Sequence, residues 1–324
     1  MVADPDSNAV ARSAHVVEDQ EAVFRFLASA AGAASTRVDT HGAAVFLGES
    51  DVYKVKRAVK FPFMDFSTLE KRRRACEAEV RINRANAPDL YLGAIPVVRR
   101  DGALSLGGAG EIVEWVVHMR RFDERRTLDR IADRGELTPA MIQRMAAAVA
   151  LSQSRAEVRP SVDFAAHLGA VIDGDASDLA EAPELFEPAR VAALTARSRQ
   201  ALTGVAPLLA RRSAEGFVRR CHGDLHLRNI VDLAGAPTLF DALEFDEALA
   251  TIDVLYDFAF LLMDLLERGL VRDANLVFNR YLVEWRDERQ LSGLAALPLF
   301  VSVRAAIRAK VIAAGLAHLP PDER

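Results

Sequence analysis

The hydrophobic pattern of this 324-residue chain is mainly strand-like in its earlier part and mainly helical in its later part, and that difference limits the folds available to it. Between residues 36 and 119, short alternating stretches separated by Gly predict β-strands. From residue 137 onward apolar residues recur with a helical period, except in residues 217–245, where short strands and loops return. We therefore expect an α+β fold in which a small β-rich lobe is followed by a larger, mainly helical lobe.

The lobes and their boundaries follow from this pattern. We expect a disordered leader at 1–14, a β-rich N-lobe at 15–119 and a helical C-lobe at 120–324. Within the N-lobe, residues 52–55 follow the turn at 48–51 and read as a strand. Residues 66–86 read as a helix that begins at Ser67, with Glu70 three residues later as a capping box.

The block at 217–245 carries the residues that point to chemistry. His222 to Asn229 spell H-x-D-x-x-x-x-N, and Asp241 follows twelve residues later after a short apolar stretch. Phosphoryl transfer from a nucleotide needs a carboxylate to orient or deprotonate the attacking hydroxyl and oxygen ligands to hold Mg²⁺. Asp224 fits the first need, and Asn229 and Asp241 fit the second.

Each of these residues also has an alternative interpretation as a structural residue with no catalytic or metal-binding role. Asp224 could be a loop or capping residue and Asn229 an ordinary turn residue, although their spacing to Asp241 favours the catalytic interpretation. Glu244 could support the metal site or simply be an exposed or paired carboxylate. We interpret His222 as a structural residue of the loop and assign no role to His226.

The motif also resembles a known family. H-G-D-L-H-x-x-N-I, the following F-D, and the run at 252–259 resemble the aminoglycoside phosphotransferase and choline kinase superfamily, which is similar in fold to eukaryotic protein kinases. The chain looks most like a bacterial branch described only as the aminoglycoside phosphotransferase family. The similarity covers roughly residues 38–266, through V-Y-K-V-K, D-F-S-T-L-E-x-R-R, A-P-D-L-Y-L-G, M-R-R-F and I-V-D with F-D-x-x-E-F.

Two departures from that branch concern the nucleotide and the substrate. Its members often carry a second, C-terminal domain with a G-x-x-x-x-G-K-[ST] loop, and this sequence contains no such loop. Many relatives also have a His at the end of the helix at 146–156, where this chain has Ser152 and Ser154.

The resemblance implies a strand lysine that holds the nucleotide phosphates and pairs with a helix glutamate. Alternation places Lys54 and Lys56 on the same face of their strand, about two residues or roughly 7 Å apart. We favour Lys54, because Val52 would then pack on the adenine, but Lys56 stays open. For the partner, helical geometry does not separate Glu77 from Glu79, and the resemblance points to Glu79.

Two further segments near these residues are less specific. The basic run at 71–74 is best read as a solvated helix face, although the local excess of cations could attract an anion. The loop at 40–44 would be the phosphate-covering loop of a kinase-like fold, but with a single Gly it is a weak signal.

Composition narrows the partners and the compartment. The net charge of −5 and a pI near 5.9 argue against a general nucleic-acid binder. Only Cys76 and Cys221 occur, so a structural disulfide is not expected. The N-terminus lacks a basic segment followed by an apolar core, so we expect no signal peptide and a cytoplasmic protein. The apolar stretch at 254–266 contains Asp257 and Asp264 and is too short to cross a membrane.

These observations predict an ATP- or GTP-dependent phosphotransferase that requires Mg²⁺ and acts on a hydroxyl of a small molecule. No activation loop ending in A-P-E follows Asp241, which argues against a protein acceptor. Two alternatives remain: a catalytically weak nucleotide-binding regulatory protein, and a transferase that moves a nucleotidyl group to a protein. The sequence leaves the acceptor and the oligomeric state open.

Overall fold

The computed structural model describes residues 15–61 and 64–316, so the leader predicted at 1–14 lies outside the described residues. The described chain divides into two compact units. The first holds the residues up to Arg126 together with Thr238–Asp246, and the second holds Thr127–Pro237 and the residues from Glu247 onward. The segment that contains Asp241 therefore belongs to the first unit.

The first unit is built on an antiparallel sheet of six strands. Its elements are α1 (Glu21–Ala30), β1 (Thr36–Asp39), β2 (Ala43–Leu47), β3 (Asp51–Lys56), β4 (Lys60–Phe61), β5 (Met64–Asp65), α2 (Leu69–Asn83), β6 (Tyr91–Arg100), β7 (Ala103–Leu106) and β8 (Glu111–Arg120). The strands of the large sheet follow the order β1-β2-β3-β8-β6-β7, and each neighbouring pair is antiparallel. A 3₁₀ turn at Glu124–Arg126 ends the continuous part of this unit.

The alternation of β3 determines which side chains meet each helix. Tyr53 and Val55 join the apolar cluster that α1 makes through Val23, Phe24 and Leu27. Lys54 and Lys56 point to the other face, where α2 packs against β3, β6 and β8. Burial of apolar side chains on one face thus leaves the opposite face of β3 for two lysines.

The start of α2 differs from the sequence prediction. The N-cap is Thr68, whose hydroxyl accepts a hydrogen bond from the Lys71 amide, and not Ser67. Ser67 instead bonds to Asp65, and Glu70 pairs with Arg73 and does not close a capping box. Thr68 is one residue closer to the helix than Ser67 and already has the extended backbone that an N-cap requires.

The side chains of the basic run at 71–74 differ in exposure, whereas the sequence predicted a solvated helix face. Arg73 and Arg74 lie on the solvent side, where they pair with Glu70. Arg72, in contrast, is fully buried and bonds to Glu114 at 3.0 Å and to Glu18 at 2.7 Å. A solvated face therefore describes only part of the run.

The second unit is mainly helical. Its elements are α3 (Leu128–Asp133), α4 (Pro139–Arg155), α5 (Phe164–Ala180), α6 (Pro188–Ala214), β9 (Val218–Arg220), β10 (Ile230–Leu233), α7 (Glu247–Ala250), β12 (Thr251–Asp253), α8 (Val254–Glu267), α9 (Val271–Trp285), α10 (Arg289–Gly293) and α11 (Leu297–Leu316), while β11 (Ala236–Leu239) spans the point where the chain passes to the first unit. A β-rich first unit and a helical second unit confirm the predicted α+β class.

The helix α8 is the centre of the second unit. Its residues from Val254 to Leu265 are all buried, and it packs against α9 and α11. A helix that is apolar on every side forms the core of a globular unit. It follows β12, which pairs with β9, so the strand that leads into the His222–Asn229 loop lies beside the start of α8.

Cysteines and apolar helices bear on the expected environment. Cys76 and Cys221 are both free and buried, which confirms that they form no disulfide. One helical stretch of the described chain, Arg289–Ala314, is long and apolar enough to cross a membrane by length and composition, with 39% of its most apolar window buried. Core helices of soluble proteins meet the same criterion, so the predicted absence of a membrane stays a prediction.

Candidate functional site

The strand β3 and the helix α2 bring together the predicted lysine and glutamate of the first unit. Lys54 Nζ donates to Glu79 Oε1 at 2.8 Å. Glu79 is fully buried, whereas Glu77 is exposed and pairs with Arg73 at 2.7 Å. Between the two glutamates, only Glu79 therefore faces the lysines, and its role toward a nucleotide stays a prediction.

Asp241 lies on the same lysine. Lys54 Nζ donates to Asp241 Oδ1 at 2.7 Å, so one ammonium group bridges two carboxylates. The Asp241 backbone is left-handed, with φ of 57°, a conformation that costs a residue with a side chain about 1–2 kcal/mol. Its amide donates to Tyr91 Oη at 3.0 Å, which fixes the turn that presents the carboxylate.

The second lysine of β3 is engaged as well. Lys56 Nζ contacts Glu79 Oε2 at 2.5 Å and also pairs with Glu244. Lys56 is buried, so it is less accessible to a ligand than Lys54. Glu244, which could have supported a metal or been exposed, is instead the buried partner of Lys56.

Mutual neutralisation keeps Lys54 and Glu79 ionised. Burial alone would lower the pKa of Lys54, but the carboxylates of Asp241 and Glu79 raise that pKa well above its usual value. Burial alone would likewise raise the pKa of Glu79, but Lys54 and Lys56 hold it below its usual range. The first unit thus presents a permanently charged ammonium group beside a partly exposed carboxylate.

The second unit contains the other predicted pair. Asn229 Nδ2 donates to the backbone oxygen of Asp224 at 2.9 Å and to Asp224 Oδ2 at 3.0 Å. The Asp224 side chain is 42% exposed, while Asn229 is buried at the end of the 3₁₀ turn Leu227–Asn229. Since the amide nitrogen is turned to Asp224, the oxygen Oδ1 is the atom of Asn229 that suits a cation.

The two histidines of the loop have different surroundings. His222 is buried, and its Nδ1 accepts a hydrogen bond from the Asp224 amide at 3.4 Å, which fits the structural role predicted for it. His226 Nε2 lies 3.4 Å from Asp224 Oδ2, and its ring meets Phe260 edge to face. No role was predicted for His226, whose ring contacts the candidate catalytic carboxylate.

These contacts set the acidity of Asp224. Burial of the carboxyl would raise its pKa, but hydrogen bonding and charge from His226, together with His222 and Arg304, lower the pKa to about 2. The carboxylate is ionised throughout the neutral range and is a weak base. Such a group suits the orientation of an acceptor hydroxyl better than early removal of its proton.

Two buried carboxylates of α8 accept hydrogen bonds from backbone amides of the His222–Asn229 loop and hold it in place. Asp257 Oδ1 accepts the Gly223 amide at 2.9 Å, and Asp264 Oδ2 accepts the Leu227 amide at 2.8 Å. Arg304 of α11 donates to the Gly223 carbonyl oxygen at 3.4 Å. In the sequence both aspartates interrupt an apolar stretch, and their spacing of seven residues, two helical turns, is the signal that they share a helix face.

The donor atoms fit a magnesium ion in kind. Mg²⁺ takes one or two protein oxygens and keeps several waters, and Asp241 and Asn229 each offer an oxygen of the required hardness. No group of three or more His, Cys, Asp or Glu side chains within residues 15–61 and 64–316 is arranged to hold a metal by itself.

The predicted phosphate-covering loop is a tight connection between β1 and β2. The Thr40 amide donates to the Ala43 oxygen at 2.8 Å, and Arg57 donates to the Thr40 oxygen at 3.1 Å. A Cβ on Gly42 would lie 2.6 Å from Met64 Sδ, so Gly is needed there for packing. Its role toward phosphate stays a prediction.

The chain is thus a two-unit α+β protein with a lysine–carboxylate cluster on its sheet and a braced Asp–Asn loop in its helical unit. No protein-family model matches it. Uncharacterized proteins of Mycobacterium tuberculosis and Mycobacterium bovis are each 29% identical to it over 277 residues, or 84% of this chain and 53% of theirs. The chain therefore spans about half the length of these relatives.

Solved structures similar to the chain are small-molecule kinases. They include a glucosamine kinase with glucosamine, ADP and inorganic phosphate (17% identity, 94% of this chain, 87% of that one, TM-score 0.46). A choline/ethanolamine kinase family protein from Mesorhizobium loti (14%, 97%, 87%, 0.46) and an ADP-bound aminoglycoside phosphotransferase (14%, 89%, 99%, 0.36) are also similar.

The environment of Asp224 leads to a prediction about pH. His226→Ala should raise the pKa of the Asp224 carboxyl from about 2 toward its ordinary value of 3.8. Because that pKa is lowered in the folded protein, the ionised carboxylate stabilises the fold above pH about 4, and this contribution is lost as the pH falls to about 2. A ¹³C NMR titration of side-chain carboxyls measures the midpoint, with His15→Ala as control. An unchanged midpoint in His226→Ala would contradict the assignment.

The bracing of the loop leads to a second prediction. Asp264→Ala leaves the Leu227 amide without its partner and should lower the free energy of unfolding by about 1–3 kcal/mol in urea denaturation. Glu267→Ala, an exposed change on the same helix, should stay within about 0.5 kcal/mol of the wild type. Equal effects of the two substitutions would show that the Asp264 contact does not stabilise the fold.

Proposed function

We propose that this protein transfers the γ-phosphoryl group of ATP to a hydroxyl group of a small molecule and uses Mg²⁺. The observation that carries the proposal is the Lys54 ammonium group, held between the buried Glu79 and the partly exposed Asp241. This is the set of groups that phosphoryl transfer requires at the nucleotide: a fixed cation for the phosphates and a carboxylate for the metal.

The catalytic loop would supply the acceptor side of the reaction. Asp224 would accept a hydrogen bond from the attacking hydroxyl and align it, and its low pKa keeps it ionised for that purpose. Asn229 bonds to both the backbone and the carboxylate of Asp224, so it would fix the orientation of that side chain. His226 would keep Oδ2 engaged on its other side.

Asn229 and Asp241 would hold the metal through their oxygens. There the metal would neutralise charge on the nucleotide phosphates. Lys54 would contribute its charge to the same phosphates, since its raised pKa keeps it protonated at any physiological pH.

ATP is favoured over GTP and a small molecule over a protein for separate reasons. Two of the similar solved structures contain ADP, which supports an adenine nucleotide. One of them also contains glucosamine, a small molecule with hydroxyl groups, and no activation-loop signature follows Asp241 in this chain. The acceptor itself is a matter for experiment: a screen of small alcohols by ATP consumption, with products identified by mass spectrometry, would find it. AMP attached to a protein would favour nucleotidyl transfer instead.

Nucleotide binding is directly testable. ATP with Mg²⁺ should raise the Tm of the purified protein, because a ligand that binds only the folded state stabilises it by mass action; at one hundred times Kd the gain is about 2.7 kcal/mol. The shift should need Mg²⁺ and shrink in Asp241→Ala, and should persist in Glu111→Ala, a control whose side chain is 71% exposed. The absence of any shift with millimolar ATP or GTP would overturn the kinase proposal.

Catalysis should separate from binding at Asp224. In Asp224→Asn, the apparent Kd for ATP obtained from the Tm shift should stay within a few-fold of the wild-type value, because the residue would contact the acceptor. Turnover, measured as phosphorylated product once an acceptor is found or as slow ATP hydrolysis before that, should fall by about 10²–10⁴. Loss of ATP binding equal to that of Asp241→Ala would show that the two aspartates have been assigned wrongly.

A further inference from the structure

The carboxylate of Glu79 is shared by two lysines, and each of them reaches a different residue of the Asp241–Glu244 segment. Lys54 joins Glu79 Oε1 to Asp241, and Lys56 joins Glu79 Oε2 to Glu244. The contacts close a ring in which helix α2, strand β3 and the Asp241–Glu244 segment are linked by four ion pairs. A kinase-like lysine–glutamate pair needs only one of the two lysines.

The two halves of the ring differ in exposure. The side chains of Lys54 and Asp241 are 14% and 45% exposed, whereas those of Lys56 and Glu244 are 2% and 8% exposed. A ligand that arrives from the solvent can therefore replace the contact between Lys54 and Asp241. The Lys56–Glu244 half has no such access and is suited to a fixed structural contact.

Backbone contacts run parallel to the buried half. Asn83 lies one helical turn after Glu79, and its Oδ1 accepts the Ala242 amide at 2.8 Å while its Nδ2 lies 3.4 Å from the Ala242 oxygen. The Asp241 amide is held by Tyr91 Oη. These bonds and the Lys56–Glu244 pair together determine where the left-handed Asp241 presents its carboxylate.

We propose that Lys56 and Glu244 are positioning residues, which hold the Asp241–Glu244 segment on α2 and keep Glu79 neutralised when Lys54 turns to a phosphate. The last part of this proposal rests on the proposed function. The ring contains three carboxylates and two ammonium groups, so loss of Lys56 would leave one cation for three carboxylates. An unpaired buried charge is strongly unfavourable, and the segment would leave α2 to reach water.

The positioning itself can be tested without nucleotide. Hydrogen exchange followed by mass spectrometry should show residues 238–246 exchanging about tenfold faster in Lys56→Met and Glu244→Gln, because loss of a charged hydrogen bond shifts the local opening equilibrium by that order. Peptides from β6 should be unchanged. Lys71→Met and Glu77→Gln, exposed changes on α2, serve as matched controls. Exchange of 238–246 equal to that of the controls would overturn the proposal.

A second measurement links the ring to the metal and separates the two proposals. In Glu244→Gln, the Mg²⁺ concentration that gives half of the ATP-induced Tm shift should rise about tenfold, since a displaced Asp241 binds metal less well. If residues 238–246 exchange faster in the variants but ATP does not raise the Tm of the wild type, the proposed function would be overturned and the positioning role would be retained. An unchanged Mg²⁺ midpoint would overturn the functional part alone. If Lys56→Met does not fold, Glu244→Gln and Lys56→Arg give the same two readouts, with Lys56→Arg expected to retain protection.

Discussion

A single buried carboxylate, Glu79, is the point on which the first unit depends. It lies on α2, it is fully buried, and it is stable as an ion only because Lys54 and Lys56 each occupy one of its oxygens. The register of β3 follows from this requirement, because a shift by one residue would present Tyr53 and Val55 to Glu79 and both lysines to the apolar cluster of α1.

The sequence predicted this arrangement in part, and the missing part has a physical reason. Strand alternation is local, so it placed Lys54 and Lys56 on one face without knowledge of the fold. The choice between Glu77 and Glu79 depends on how α2 is rotated against the sheet, which a helical period with few apolar residues does not define. That both lysines would reach one carboxylate follows from long, flexible side chains, and neither spacing nor periodicity encodes it.

In the second unit, the contacts of the acidic residues likewise could not be predicted from the sequence. Asp253, Asp257 and Asp264 all have partners inside the unit. Asp253 caps α8 and pairs with the buried Arg212, and the other two accept hydrogen bonds from amides of the His222–Asn229 loop. The motif at 222–229 could be recognised in the sequence because its spacing is local. The carboxylates that support it lie 34 and 37 residues from the amides whose hydrogen bonds they accept, so local spacing does not identify them.

In each unit an accessible carboxylate is supported by buried acidic and basic side chains that would contact neither the acceptor nor the metal. Asp241 is nearly half exposed and is supported by the buried Lys56–Glu79–Glu244 contacts, and Asp224 is similarly exposed and is supported through Asp257 and Asp264. Burying charge is costly, and it is tolerated where every oxygen finds a donor. The cost is consistent with a requirement for fixed carboxylate positions, because a group that orients a hydroxyl or a metal must be held before its ligand arrives. On this argument the buried partners belong to the functional apparatus as much as the exposed residues do, since stability alone would be served as well by apolar side chains of the same size.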